Sequence, residues 1–387
     1  MNPAAEFDVI VYGATGYTGR LVAEHLASRY GVGGEVKWAM AGRSAEKLAQ
    51  VRDEVGAPKE TPLVVTDAAD PASLDAMVRR TKAVITTVGP YQLYGNELVA
   101  ACVAAGTDCL DLSGEPNWMR AIIDRYDAAA KASGARIVHS CGFDSIPSEL
   151  GVWFCQETAK KQLGGVVPRV KGRVRAMNGG LSGGTAASGA ATGAAIEKDP
   201  AQAAVMASPF GLTPGFEGPP QPPGLEVQDD PDVGSVGPFL MAVINTKNVH
   251  RSNFLLGHAY GKDFVYDEMQ IGAGPAVIGF GDLGKIPGAP KPGEGPTKAQ
   301  REAGSFDVLF IGVARDGRRV RTSVKGDMDP GYGSTSKMIA ETAICLVRSP
   351  DVAGGVWTPA AALQGRLLER LQNHAGLTFT VESQPAA

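Results

Sequence analysis

The sequence predicts an α/β chain in two parts: a doubly wound parallel sheet over the first 150 residues, then an α+β region. Three observations predict it. Residues 7–12, FDVIVY, are an apolar run closed by glycine, the pattern of a strand buried on both faces. Strand-like and helix-like stretches then alternate as far as residue 141. Beyond residue 178 the texture changes, and many of the 50 glycines and 26 prolines of the 387-residue chain gather there among strands that alternate apolar and polar side chains.

The elements follow in order. After the first strand a helix carries Leu21, Val22 and Leu26 on one face and stops at Gly31. Residues 36–41 form a second strand, ending at Gly42-Arg43, and residues 63–66 a third, closing at Asp67. Asp70-Pro71 reads as an N-cap followed by proline at the first helical position, and that helix runs to residue 80. A fourth strand over 83–88 ends in Gly89-Pro90-Tyr91. A helix over 96–105 stops at Gly106. A fifth strand over 107–112, a helix over 116–133 and a sixth strand over 135–141 complete the sheet.

Between the first strand and the first helix lies Gly13-Ala14-Thr15-Gly16-Tyr17-Thr18-Gly19, with the spacing GxxGxxG. Gly13 lets the chain turn tightly off the strand, Gly16 lets backbone approach a pyrophosphate, and Gly19 lets the helix pack close to the sheet. The helix N-terminus offers free N–H groups and partial positive charge to phosphates. A glycine motif alone is weak, but here it opens a βαβ unit, which is the context a dinucleotide site of the Rossmann kind requires. The tip of the second strand selects the dinucleotide. An NAD site places an acid there, whereas this chain reads Ala41-Gly42-Arg43-Ser44 with Lys47 one turn on. Arg43 can fork onto a ribose 2′-phosphate, so the expected cofactor is NADP(H). Ligands bind beyond the carboxyl ends of such strands. Val88-Gly89-Pro90-Tyr91 is therefore placed near the ribose or nicotinamide, and Asp67 near the adenine.

Composition narrows the class. Hydrophobic residues are 44% and charged residues 20%, with a net charge of −4. This is the balance of a globular protein with sizeable cores and argues against nucleic acid as a partner. The five cysteines lack CxxC spacing and the five histidines lack HExxH, so no metal site is expected and the thiols read as free, in a reducing, cytoplasmic setting. No basic-then-apolar leader and no apolar run of about 18 residues appear, so no membrane span is expected.

In the second half, residues 170–177, VKGRVRAM, alternate apolar and basic side chains. The strand has one cationic face, Lys171, Arg173 and Arg175, either solvated or a docking surface for an acidic or phosphate-bearing ligand. Residues 179–185, GGLSGGT, open an alanine-rich helix and place Ser182 and Thr185 at its N-terminus, where amides and hydroxyls could take an anion or a carbonyl oxygen. Segments 208–238 and 281–300 read as long surface loops that could act as lids. Arg315-Asp316-Gly317-Arg318 joins two strands as a hairpin, and a helix is expected over 335–347.

Seven stretches, GATGYTG, AGRSAEKL, TTVGPYQLYG, DLSGE, HSCGFDSIPSELG, GGLSGGT and KGDMDPGYGSTSKM, together resemble saccharopine dehydrogenase-like oxidoreductases, and within them the trans-acting enoyl reductase branch known from mycobacteria. The resemblance spans residues 7–345. It implies an NADP-binding Rossmann domain (1–150), an α+β substrate domain (151–330) and a C-terminal helical segment (331–387) that packs back on the first domain. It implies reduction of a carbon–carbon double bond in a lipid or polyketide acyl intermediate, small or carrier-bound, with a polyketide synthase or acyl carrier as partner. Peripheral lipid contact and a homodimer stay open. So do two other readings: an imine-reducing amino-acid dehydrogenase of the saccharopine type, and a regulatory NADP binder without turnover. Arg251 is the only arginine between residues 178 and 300, which is poor provision for a diacid. Enoyl reduction needs a hydrogen-bond donor at the thioester oxygen and a proton source. Tyr91, Tyr260, Ser182 and Thr185 are the candidates. Asp144 and Ser145 read as caps of the helix that begins near Pro147, Cys141 as a packing thiol and His139 as a core histidine.

Overall fold

The structure is a computed structural model that describes residues 5–275 and 279–383. The ends of the first and last expected segments, residues 1–4 and 384–387, lie outside that description. The chain runs β1 (Phe7–Tyr12), α1 (Tyr17–Tyr30), β2 (Trp38–Gly42), α2 (Ala45–Glu54), β3 (Leu63–Val65), α3 (Pro71–Val78), β4 (Thr81–Thr86), α4 (Tyr91–Tyr94), α5 (Asn96–Ala105), β5 (Asp108–Leu110), α6 (Pro116–Ser133) and β6 (Arg136–Val138). It continues through α7 (Ile146–Leu163), β7 (Arg169–Asn178), α8 (Gly183–Lys198), α9 (Pro200–Ala207), β8 (Gln228–Asp230), β9 (Gly234–Pro238), α10 (Ala242–Leu255) and β10 (Val265–Ile271). It ends with α11 (Lys298–Glu302), β11 (Ser305–Val313), β12 (Arg319–Gly326), α12 (Thr335–Val347), β13 (Gly355–Trp357), α13 (Pro359–His374) and β14 (Leu377–Glu382).

Two seven-stranded sheets result. The first is parallel throughout, in the order β13-β6-β5-β4-β1-β2-β3. The apolar run in β1 has the expected cause. Val9 and Val11 belong to one core with Val22 and Leu26 of α1 and Met338 of α12. Ile10 and Tyr12 belong to a second core with Leu74 of α3, Leu98 of α5 and Ile122 of α6. With both faces buried, alternation disappears from the strand. The seventh strand was not expected: β13 comes from residues 355–357 and pairs Val356 with Ile137. Three residues carry no readable period, so sequence pattern could not place it.

The second sheet is mixed, in the order β14-β12-β11-β7-β10-β9-β8, with β7 and β10 parallel and the rest antiparallel. The expected hairpin is β11–β12, turning at Gly317 with φ +86. Two expectations are corrected here. Segment 208–238 is not a plain surface loop: it buries Phe210 and Leu212 and contributes β9 and the edge strand β8. The cations on β7 are all held in ion pairs rather than free to dock a ligand, Arg173 fully buried and Lys171 and Arg175 partly so. Lys171 pairs with Asp230 and Asp232, Arg173 with Asp230 and Asp267, and Arg175 with Asp307 and Glu382. Arg173 is only 1% exposed, and a buried guanidinium survives because both neighbouring carboxylates neutralise it.

Candidate active site

The expected glycine roles are visible as contacts. Gly13 has φ +87, a conformation side chains rarely adopt, and a Cβ there would lie 2.7 Å from Thr87 Oγ1 and 2.8 Å from Val88 Cγ2. The amides of Gly13 and Ala14 both donate to Ala41 O, at 3.0 and 3.1 Å, and Gly16 N donates to Gly13 O at 2.9 Å. These bonds fold the turn tightly between β1 and β2. At Gly19 a Cβ would strike Gly13 O, and would lie 2.7 Å from Gly13 C and 2.9 Å from Ala14 Cα. Helix α1 therefore packs directly on the turn. Its N-cap is Gly16, which supplies no side-chain bond to the first turn.

That first turn opens on a cavity of about 690 Å³ at the carboxyl ends of β1 and β4, where the strand order reverses. Thr15, Gly16, Tyr17, Thr18, Arg43, Asp67, Val88 and Gly89 line it. A glycine cradle, an uncapped helix N-terminus and a room of this size suit a dinucleotide. Other expected residues sit elsewhere. Ala14 is buried and Gly19 lies behind the turn. Ser44 caps α2 by accepting from Lys47 N at 3.2 Å, and Lys47 is exposed; neither lines the cavity. Pro90 likewise does not line it. Asp67 lines the cavity, and its Oδ1 accepts from Ala69 N at 3.0 Å. The 281–300 segment contributes Pro292 and Gly293 to the wall, and it is tied down where Tyr17 OH donates to Pro296 O and Gly183 N to Glu294 O.

A second cavity of about 140 Å³ continues from the first, sharing Thr18, Thr87, Gly89, Ser182 and Gly184. It adds Tyr91, Asp144, Thr185, Met241, Tyr332 and Thr335. The GGLSGGT turn forms one wall. Ser182 is the N-cap of α8, its Oγ accepting from Thr185 N at 3.4 Å. Sequence reasoning missed Tyr332. Its hydroxyl accepts from Ser182 N at 2.6 Å and lies 2.8 Å from Thr185 Oγ1. Its ring packs edge-on to Tyr17, 5.1 Å away. Asp329 fixes the turn by accepting from Tyr332 N at 3.1 Å and Gly333 N at 2.6 Å. Burial raises the Tyr332 phenol above its ordinary value, partly offset by its bonds to Ser182 and Thr185, so it is a neutral hydroxyl at pH 7.

The two expected tyrosines differ from this. Tyr91 touches the second cavity, but its hydroxyl donates to Thr86 O and accepts from Leu112 N, both at 3.1 Å. Its one proton is committed to backbone. Tyr260 is 2% exposed, packs 5.4 Å from the Phe264 ring and lines neither cavity. The capping role expected of Asp144 and Ser145 is also corrected. Ser145 is the N-cap of α7 without a side-chain cap bond, and its hydroxyl donates to Asn245 Oδ1 and accepts from Asn248 Nδ2. Asp144 faces the second cavity. Burial, with a smaller push from Asp111, raises its carboxyl to about 7. Cys141 is buried and its thiol raised, as a packing thiol is. His139 is buried, with Nδ1 2.6 Å from Asp111 Oδ2.

Fold, glycine turn and joined cavities define an NADP-dependent oxidoreductase of the Rossmann type with an appended mixed-sheet domain. Residues 9–138 match the saccharopine dehydrogenase NADP binding domain family. Trans-acting enoyl reductases of Mycobacterium bovis and Mycobacterium ulcerans are each 36% identical to the chain, the first over 413 residues (96% of this chain, 97% of the relative) and the second over 407 (95% and 96%). A Mycobacterium tuberculosis protein carrying the same family name is 39% identical over 407 residues, 95% of each chain. The chain belongs to this family of trans-acting enoyl reductases. Among solved structures, saccharopine dehydrogenase from Saccharomyces cerevisiae shares the fold, with a TM-score of 0.52 over 97% of this chain and 100% of that one at 11% identity. Among the described residues no helix is long and apolar enough to cross a membrane, and no cluster of metal-ligating side chains occurs.

Proposed function

We propose that the protein reduces the carbon–carbon double bond of an enoyl thioester with NADPH, on a lipid or polyketide intermediate delivered by a partner synthase or its acyl carrier. The observation that carries this reading is the continuity of the two cavities across Thr87, Gly89 and Ser182, which sets a small chamber walled by hydroxyls beside the cofactor room. Bound NADPH supplies the hydride. The Gly13–Gly19 turn and the first turn of α1 hold the pyrophosphate, Arg43 the 2′-phosphate, Asp67 the adenosine end, and Val88 with Gly89 the nicotinamide end. In the second cavity the Thr185 hydroxyl, linked to Tyr332 and Ser182, donates to the thioester oxygen as negative charge builds there. Met241 and Leu112 give that chamber apolar wall, and no lysine or arginine among the described residues lines it. Arg251 spends its guanidinium on Leu212 O and Val356 O. A neutral acyl group fits such a chamber better than an amino diacid. On this reading residues 1–150 are the cofactor domain and 151–330 the substrate domain; the expected return of the C-terminal segment to the first domain holds for β13, which pairs β6, while β14 joins the second sheet beside β12.

The test is a titration of NADPH against NADH by intrinsic fluorescence, followed by NADPH oxidation with a panel of enoyl thioesters. Tight NADPH binding with turnover is the expected result. Binding with no turnover on any enoyl thioester, alone or carrier-bound, would sink the enoyl reading and return weight to an imine substrate or a regulatory binder. Arg43→Asp tests the cofactor choice. Losing a charge-assisted bond of about 1.5–3 kcal/mol lowers NADPH affinity by about 10- to 100-fold and leaves NADH affinity nearly unchanged. Equal losses for both would remove the role given to Arg43.

A further inference from the structure

Resting on the enoyl-reductase reading, we propose that Asp144 is the acid of the reaction, giving its carboxyl proton to the α-carbon from the wall of the second cavity opposite no cation. The loop from β6 into α7 carries Asp144 to the carboxyl end of the sheet and into the chamber that also holds Thr185 and Tyr332. It is half-buried there, open to the cavity and otherwise enclosed by protein. No ion pair or side-chain hydrogen bond to it occurs among the described residues, so only a hydrogen bond from its own backbone favours its ionised form, and burial outweighs that. The titratable groups around it are Asp111, Tyr91, Cys141 and Tyr332. One is an acid and the others are neutral at pH 7, so each either opposes a second negative charge or leaves it unassisted. Burial and the Asp111 charge accordingly push the carboxyl up to about 7, far above the ordinary carboxylate range, so the protonated form is accessible near neutrality. That is the range in which a general acid is most effective.

The other hydroxyls on the chamber wall serve the oxygen. Tyr332 and Thr185 bond one another, and Tyr91 is committed to Thr86 O. The step then balances. Hydride from NADPH forms the β-carbon C–H bond, and the π-electron pair moves onto the thioester oxygen as an enolate held by Thr185. The enolate pair next takes the Asp144 proton, so the O–H bond breaks as the α-carbon C–H bond forms. Asp144 is left as carboxylate and regains its proton from water through the cavity mouth.

The experiment compares wild type with Asp144→Asn, measuring NADPH affinity and kcat for an accepted enoyl thioester between pH 6 and about 9. Wild-type kcat is expected to fall as pH rises through about 7, because the protonated carboxyl is the active form. The variant is expected to bind NADPH within about twofold of wild type, to lose about 10²- to 10⁴-fold in kcat, and to show no descending limb near 7. A variant with near-normal kcat and an unchanged pH profile overturns the assignment. Should the variant fail to fold, the wild-type profile decides alone, since a kcat flat across that range also overturns it. Wild-type protein that turns over no enoyl thioester sinks the reductase reading and the acid role together; turnover by wild type and variant alike sinks the acid role only.

Discussion

Gly19→Ala is expected to cost more than tenfold in NADPH affinity and about 1–3 kcal/mol in stability, the range for forcing atoms into a filled site. Alanine is the better helix former by about 1 kcal/mol, so propensity alone would predict the opposite sign. Packing wins because the added methyl meets backbone, Gly13 O and C and Ala14 Cα, and backbone cannot rotate aside as a flexible side chain can. Either α1 slides away from β1 or the Gly13–Gly16 turn opens. Both move the first-turn amides relative to the cofactor cavity. Thermal unfolding and NADPH titration of the variant check this. Unchanged affinity together with unchanged Tm would show that the turn is not held by this contact.

The glycine turn was legible because all its parts are local. Strand, turn and helix occupy residues 7–30, and each glycine meets atoms within that span or at the neighbouring strand end at Thr87 and Val88. The helices over 96–105 and 116–133 were legible for the same reason, each ending at a glycine in the left-handed conformation, Gly106 and Gly134. What failed was non-local. The alternation on β7 correctly marked a strand with one cationic face, but its counter-charges come from Asp230, Asp232, Asp267, Asp307 and Glu382. No window of sequence holds that set.

The chemical end of the site was half legible for a related reason. Ser182 and Thr185 announce themselves by sitting at a glycine-rich helix start. Tyr332 reaches them from 150 residues away, on a turn held by Asp329. The available signal was the conspicuous KGDMDPGYGS stretch, which pattern alone reads as a loop. Asp144 was read as a cap because Asp-Ser before a helix usually is one. The competing fact, that Ser145 holds the N-cap position of α7 and the Asp144 carboxyl faces a chamber lined by no lysine or arginine among the described residues, exists only in three dimensions. Tyr260 failed oppositely, since an aromatic hydroxyl in a substrate-domain stretch looks chemical until packing against Phe264 takes it into the core.

Glu341→Ala is expected to be among the most destabilising single changes available, at about 3–5 kcal/mol, the loss on removing one partner of a buried ion pair. Glu341 is a lone acid within the apolar face of α12 and is fully buried. It accepts from Tyr30 OH at 2.9 Å through both oxygens, lies 2.7 Å from His25 Nε2, and pairs with Arg370 Nε at 2.8 Å. One carboxylate thus ties α1, α12 and α13 together. Removing it strands Arg370, whose side chain is 10% exposed, without its counter-charge. Burial alone would raise the Glu341 carboxyl, but the His25 bond and the Arg370 charge together hold it below its ordinary value. A depressed value means that the contribution is complete above the unfolded carboxyl's value of about 4.3 and is lost as pH falls through the folded one. The gap in urea midpoint between wild type and variant should therefore be widest near neutrality and narrow in acid. Equal midpoints at pH 7 would show that the three helices are held by their apolar contacts alone.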